Sequence, residues 1–123
     1  MKMIPTLRIS NMKKAVAFYT QVLDFELKYP DAPPDEWVMD LVNGDAELML
    51  TSLEGDQRAA INVYALVDDV DALFKKYLQR GLKIPGKKDS PVHQSPIDQT
   101  WGMREFYVTD EDGNTLRFGT PIK

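Results

Sequence analysis

Cysteine is absent from this chain of 123 residues, which excludes disulfides, thiolate metal ligands and cysteine nucleophiles. Without disulfides, the cytoplasm is the compartment expected by default. Only one histidine is present, whereas a facial triad for non-haem iron needs two. This residue, His93, stands between prolines and serines in SPVHQSP, which predicts an exposed loop residue rather than a base. The sequence therefore predicts no catalytic residue and no cofactor.

Long apolar runs and an excess of basic residues are also missing. No segment approaches the ~20 apolar residues that span a bilayer, and the amino-terminal MKMIPTLRIS lacks the hydrophobic stretch of a secretory signal. There are 15 lysines and arginines against 19 aspartates and glutamates, a net charge of −4. This balance argues against partnership with nucleic acid and is compatible with a cationic small ligand. The alternative is that the charge serves only solubility.

Two segments have the spacing of amphipathic helices. In SNMKKAVAFYTQVLDF, Ser10 or Asn11 is the predicted N-cap, since either side chain can accept a free backbone N–H. In DDVDALFKKYLQRG, Asp68 or Asp69 is the predicted N-cap, and apolar residues recur at i, i+3, i+4, i+7 and i+8. Gly81 is predicted to end this second helix in the left-handed conformation.

The other patterned runs predict eight strands, with hairpin turns at Asn43-Gly44 and Asp112-Gly113. Two loops are predicted, a proline-rich one at residues 30–36 and a longer one at 84–99, of the length that is often functional or mobile. The predicted strands are Met3–Ile9, Phe25–Tyr29, Trp37–Val42, Ala46–Thr51, Ala60–Val67, Leu82–Ile84, Arg104–Val108 and Thr115–Gly119.

The chain contains an internal repeat. A shift of 58 residues places Ile9 on Val67 and Tyr19 on Tyr77, and the same βαβββ order recurs. One such unit cannot bury both its helix and one sheet face, whereas two can pair their sheets. The prediction is one α+β domain over residues 1–123, made of modules 1–54 and 58–123, with a curved mixed sheet and the helices outside.

Three stretches resemble the vicinal oxygen chelate superfamily, which includes glyoxalase I, ring-cleaving dioxygenases, fosfomycin-inactivating enzymes and bleomycin-resistance proteins. IPTLRISNMKKAVAFYTQVLDFEL resembles its opening, and NVYALVDDVDALFKKYLQRGL resembles the start of its second module. WGMREFYVTDEDGNTLRFG is most similar to the bleomycin-resistance branch. The resemblance covers nearly the whole chain. It implies a homodimer with two clefts between the chains, sometimes with exchange of the first strand.

The resemblance also implies where a metal would lie in the concave side of the sheets, here called the cup. The four ligand positions correspond to Ile4, Met49 (or Leu48 if the register slips), Asn62 and Arg117. Enzymes of the superfamily commonly show histidine at the third position and glutamate at the fourth. Isoleucine, thioether and guanidinium groups are poor ligands for a hard cation. No metal is therefore predicted, and metal-dependent glyoxalase or dioxygenase activity is not expected.

Strand alternation predicts which side chains line the cup. A four-residue turn from Asp110 to Gly113 would place Phe106 opposite Arg117, on the cup side, and Tyr107 on the helix side. In the first module the acidic face is assigned to the cup, because burying two carboxylates under a helix would be costly. The predicted ligand-binding residues are Asp40, Glu47, Met49, Asn62, Tyr64, Trp101, Phe106 and Arg117.

These residues suggest a ligand and leave alternatives open. Aromatic rings could stack on a planar guest, and Asp40 and Glu47 could pair with a cationic tail. The resemblance implies that Trp101 takes part in stacking the drug; otherwise it closes the core edge. Arg117 is an anchor or pairs internally with Asp40 or Glu47.

The leading prediction is a metal-free, cytoplasmic binding protein that sequesters a planar, cationic antibiotic of the bleomycin type or a similar metabolite. The alternatives are a glyoxalase-like lyase or isomerase with Asp40 or Glu47 as base or unusual ligand, and an orphan binding domain.

Overall fold

The computed structural model describes residues 1–31, 37–55 and 60–123, so most of the predicted loop 30–36 lies outside the described residues. The strands are β1 (Thr6–Arg8), β2 (Glu26–Leu27), β3 (Val38–Asn43), β4 (Ala46–Thr51), β5 (Asn62–Leu66), β6 (Ile97–Asp98), β7 (Met103–Thr109) and β8 (Thr115–Pro121). The helices are α1 (Met12–Ala17), continued by a π-helical turn (Phe18–Val22), and α2 (Val70–Gln79), with a 3₁₀ turn at Pro91–His93. No helix in the described part is both long and apolar enough to cross a bilayer.

The chain divides into two compact units. The first contains residues 1–61 together with residues 110–114, and the second contains residues 62–109 and 115–123. The first unit has a four-stranded sheet in the order β1-β4-β3-β2, and the second has one in the order β5-β8-β7-β6. In each, the outer first strand runs parallel to its neighbour and the other pairs are antiparallel. The predicted α+β class with two repeated modules is confirmed.

The sheet of the first unit has one apolar face and one polar face. Leu7 and Met39 both pair with Leu50, and all three are buried. On the other face, Asp40 lies opposite Met49, and Val42 lies opposite Glu47. This register agrees with the predicted common face of Asp40, Glu47 and Met49.

The first helix begins as predicted and then widens. The Asn11 side chain accepts a hydrogen bond from the N–H of Lys14 at 3.0 Å, which caps the helix. After Ala17 the chain makes a π-helical turn, in which the N–H of Leu23 donates to the carbonyl of Phe18 at 3.0 Å. Such a turn inserts one residue into the helical repeat, which changes the direction of the side chains that follow.

Helix α2 covers one face of the second sheet. Asp69 caps it by accepting from the N–H of Ala72 at 3.0 Å, and Gly81 follows its end with φ +104°, both as predicted. Beneath it, Phe106 and Phe118 stack with their ring centroids 5.1 Å apart, and Tyr77 meets Phe118 edge-on at 5.6 Å. The face of this sheet that α2 does not cover is called the open face below.

One predicted strand is wrong. The described residues 82–84 form no strand, and the short sixth strand is Ile97–Asp98, inside the stretch predicted as a loop. The N–H of Leu82 donates to the carbonyl of Tyr77 at 2.9 Å, so this residue completes the helix end. Asp98 pairs with Arg104, six residues later, both in register and through a 3.0 Å salt bridge, and a strand of two residues is too short to show periodicity in the sequence.

The turn at residues 110–114 is fixed by side chains. Asp110 accepts the N–H groups of Asp112 and Asn114, both at 2.9 Å, and the hydroxyl of Tyr19 at the same distance. Asn114 is fully buried; its amide nitrogen donates to the Arg8 carbonyl at 2.8 Å, and its oxygen accepts the N–H of Ile61 at 3.1 Å. Since most of these partners are distant in sequence, the geometry of the turn depends on the first unit as a whole.

Candidate functional site

The register of the β7–β8 hairpin decides which side chains face outwards. The connection is residues 110–114, closed by the N–H of Asp110 donating to the carbonyl of Asn114 at 2.9 Å. This turn is one residue longer than predicted, so Phe106 pairs with Phe118, and Tyr107 pairs with Arg117. The predicted facing of Phe106 and Tyr107 is therefore wrong. Phe106 is buried on the helix side, and Tyr107 lies on the open face with Arg117.

A buried carboxylate organises the open face. Glu105 is fully buried and accepts Nε of Arg117 at 3.2 Å and Nη2 at 3.0 Å, one on each oxygen. Its Oε2 also accepts the hydroxyl of Tyr64 and, at 3.2 Å, Nε1 of Trp101. A bidentate guanidinium–carboxylate pair is among the stronger and more directional polar contacts in proteins. Glu105 therefore fixes the positions of an arginine, a tyrosine and a tryptophan together.

The same guanidinium lies among three aromatic rings. Its central carbon is 4.1 Å from the ring centroid of Tyr64, 5.6 Å from that of Trp101 and 5.7 Å from that of Tyr107. A cation at this range is attracted by the negative face of the ring. We call these five residues the arginine cluster: Tyr64, Trp101, Glu105, Tyr107 and Arg117.

Two rings of the arginine cluster remain accessible. Tyr64 is 42% exposed and Trp101 is 56% exposed, so Trp101 does not close a core edge. Each ring is nevertheless tethered, because its polar atom donates to the buried Glu105. The result is a pair of ordered apolar surfaces around a compensated ion pair.

Hydrogen bonding controls the ionisation of this carboxylate. Burial alone would raise the pKa of Glu105, but donors from Arg117, Tyr64 and Trp101 hold that pKa below its ordinary value. Burial and the neighbouring Glu105 carboxylate raise the pKa of Tyr64, which keeps its hydroxyl protonated as a donor.

The lowered pKa of Glu105 predicts a loss of stability in acid. Because the folded pKa lies below the unfolded value of about 4.3, the stabilisation is complete above that pH and is lost as the pH falls through the folded pKa. Urea unfolding between pH 3 and pH 6 should show a steeper acid loss in the native protein than in Glu105→Gln. Parallel profiles for the two proteins would contradict this assignment.

His93 is more enclosed than the sequence suggests. It is partly buried, with Nδ1 2.6 Å from the Ser90 hydroxyl and Nε2 2.9 Å from the Thr109 hydroxyl. Its ring meets the ring of Tyr107 edge-on, at a centroid distance of 5.8 Å. Burial first, and then the charge of Lys87, lowers the pKa of His93. The predicted exposed position is wrong because the 3₁₀ turn folds this segment back onto β7.

Glu47, one of the two carboxylates predicted to bind the ligand, is already occupied by lysines of its own unit. Glu47 is buried and binds Lys2 at 3.0 Å and Lys28 at 3.1 Å. Hydrogen bonds from these two lysines lower its pKa. The carboxylate that pairs with Arg117 in the second unit is Glu105, which was not among the predicted site residues.

Of the predicted site residues, the structure brings Tyr64, Trp101 and Arg117 together. Asn62 lies on the same open face, two residues before Tyr64, and is exposed. Sequence reasoning missed Glu105 and Tyr107. Their alternation with the buried Phe106 would have revealed them once the hairpin register was known.

The residues present do not fit the metal that the superfamily resemblance implies. At the fourth ligand position, the guanidinium of Arg117 is held by Glu105 and cannot coordinate a cation. Ile4, at the first position, offers no donor atom. Within the ranges that the structure covers, no group of three or more histidine, aspartate or glutamate residues could hold a metal ion.

Comparison with known families settles the relationship. The model of the Glyoxalase/Bleomycin resistance protein/Dioxygenase superfamily matches residues 4–118. The chain belongs to this superfamily. A search of curated protein sequences finds no match.

Solved structures share this superfamily fold at low sequence identity. A bleomycin-binding protein from Streptomyces verticillus, complexed with copper(II)-bleomycin, has a TM-score of 0.73 at 21% identity and covers 100% of this chain and 97% of its own. TioX from Micromonospora sp. ML1 has a TM-score of 0.75 at 23% identity, with 99% of both chains covered. Lactoylglutathione lyase from Agrobacterium tumefaciens has a TM-score of 0.70 at 16% identity, covering 98% and 92%. A bleomycin-binding protein and a lactoylglutathione lyase therefore share the fold, so function must be argued from the site.

Proposed function

We propose that this protein binds and sequesters a planar aromatic small molecule, such as a bleomycin-type antibiotic or a similar metabolite. The observation that carries the proposal is the pair of exposed rings, Tyr64 and Trp101, tethered to the buried Glu105. The proposal includes a homodimer and requires no metal. Sequestration needs affinity alone, and the arginine cluster offers contact area without a free base or nucleophile.

Preorganisation makes these rings suitable for binding. An aromatic side chain that is already hydrogen-bonded loses little conformational freedom when a guest stacks on it. Each aromatic contact adds ~0.5–1.5 kcal/mol beyond the apolar area that it buries. The bleomycin-binding neighbours support the proposal through their shared fold.

The site favours a planar guest through its rings, and the expected positive charge of the guest has no open counter-charge at Glu47. The expected cationic tail relied on Asp40 and Glu47 as counter-charges. Glu47 already has two lysine partners, so it is not an open acceptor for a guest. Stacking therefore carries the proposal.

The test is ligand titration with a matched pair of tryptophan variants. Bleomycin and the neutral planar compound 2-naphthamide are titrated into the protein by calorimetry, with tryptophan fluorescence as a second readout. Trp101→Leu should weaken binding by roughly tenfold, since a stacked ring contributes up to ~1.5 kcal/mol and about 1.4 kcal/mol corresponds to tenfold. Trp37→Leu is the control, because Trp37 is 64% exposed and belongs to the first unit, outside the arginine cluster.

Two results would remove the proposal. The first is a failure of the titration, in which neither compound binds saturably or the Trp101→Leu variant binds both compounds as tightly as the native protein does. The second is that the purified protein carries a stoichiometric zinc, nickel or iron ion and converts a glyoxalase-type substrate, which would favour the lyase or isomerase alternative.

A further inference from the structure

Arg117 has hydrogen-bonding capacity that the protein does not use. A guanidinium carries five N–H donors in one plane. Those of Nε and Nη2 meet Glu105 along one edge of the group. Nη1 donates to no acceptor in the described part of the chain, and the side chain is 25% exposed. A guest on the open face can therefore reach donors of a group that bears a full positive charge.

Glu105, the negative partner of Arg117, has no oxygen atom that a guest can reach. The Oε2 atom of Glu105 accepts from Tyr64, Trp101 and Arg117, and its Oε1 accepts from Arg117 and, at 3.4 Å, from the hydroxyl of Tyr107. The residue is fully buried. A cationic guest would have to displace one of these donors to reach the carboxylate, whereas an acceptor group meets Arg117 directly.

Two other carboxylates of the second unit, Asp71 and Asp98, already have an arginine partner. Asp71 and Asp98 both bind Arg104, at 2.9 Å and 3.0 Å, and alternation puts Arg104 on the face that α2 covers. His93 meets the ring of Tyr107 edge-on, beside a hollow of about 470 Å³ that Lys87 and Asp89 line with opposite charges. The accessible charge within the arginine cluster itself is therefore positive.

We infer that the guest is a planar aromatic compound bearing an anionic acceptor, of the aromatic carboxylate class. Its ring lies against Trp101 and Tyr64, and its carboxylate accepts hydrogen bonds from the outer N–H groups of Arg117. This assignment rests on the proposed function and, within it, favours an anionic aromatic metabolite over a cationic antibiotic of the bleomycin type. A carboxylate forms charge-assisted hydrogen bonds with a partly desolvated guanidinium, and these bonds are stronger than those that a neutral acceptor forms.

Three probes of nearly equal shape test the sign of the preferred charge. Calorimetry at pH 7.5 compares 2-naphthoate, 2-naphthamide and 2-naphthylmethylammonium on the full-length protein. The expected order is naphthoate, amide, ammonium, with at least a tenfold gap between the first and last. The affinity for naphthoate should fall as sodium chloride is raised, because salt screens the pairing with Arg117.

A double variant separates charge from shape. Glu105→Gln combined with Arg117→Gln replaces the ion pair by two amides, which avoids leaving one charge buried alone. It should bind naphthoate and naphthamide equally. Arg104→Gln removes a cation of the opposite sheet face and should keep the native preference. Thermal unfolding of each variant verifies that it is folded.

The outcomes distinguish this inference from the proposed function. Equal or tighter binding of the ammonium probe would overturn the charge assignment, as would a preference that survives in the double variant. Binding of bleomycin without binding of naphthoate would also overturn it, and the proposed function would stand. Absence of binding by every compound would remove both.

Discussion

Replacing Glu105 with alanine is expected to lower the free energy of unfolding by about 3–5 kcal/mol, the cost of breaking a buried ion pair from one side. The substitution leaves Arg117 without its counter-charge and removes the acceptor of the Tyr64 hydroxyl and of Trp101 Nε1. The lower end of the range is expected, because Arg117 is 25% exposed and water can solvate part of its charge.

Urea denaturation followed by circular dichroism measures this loss. Glu111→Ala is the matched control, since Glu111 is exposed in the neighbouring turn, and it should change stability by less than about 0.5 kcal/mol. If the two variants are equally stable, Glu105 does not organise the open face.

Replacing Asn114 with alanine should cost about 3 kcal/mol. The side chain donates to the Arg8 carbonyl at 2.8 Å and to Asp110 at 3.1 Å, and it accepts the N–H of Ile61 at 3.1 Å. Each buried polar group that loses its partner costs about 1–3 kcal/mol. Arg8 and Ile61 are only partly buried, so water replaces some of these bonds.

Asn43→Ala provides the comparison for this second substitution. The Asn43 side chain donates to Asp24 at 2.8 Å and is partly exposed, so its removal should cost about 1 kcal/mol. Chemical denaturation of both variants tests the difference. A cost at Asn114 no larger than at Asn43 would show that the turn is held by its backbone alone.

The parts of the fold that depend on local pattern could be predicted from the sequence. Both N-caps, Asn11 and Asp69, and the helix end at Gly81 follow from short-range chemistry, and the structure confirms them. The repeat of 58 residues similarly fixed the order of the elements. The sixth strand could not be predicted, because a strand of two residues, Ile97 and Asp98, is too short to show periodicity.

The candidate site was predicted only in part, for a similar reason. Tyr64 and Arg117 were placed on one face, and the structure confirms this with a register pair and a 4.1 Å contact. Phe106 was misplaced because the turn between β7 and β8 has five residues, and the Asn114 side chain in it bonds to Arg8 and Ile61, both more than fifty residues away. A one-residue shift in register exchanges the two faces of a strand. The wrong register therefore also placed Glu105 on the helix side, where it was not recognised as a site residue.

The position of residues 110–114 limits how this chain can be recombined with a relative. This segment belongs to the first unit, although the strands on both sides of it belong to the second. A chimera joined only after residue 61 would give Tyr19 and Arg8 a foreign loop, and Asp110 and Asn114 would have to be supplied by the other parent. Grafting the first half onto a relative therefore needs junctions near residues 61, 109 and 114.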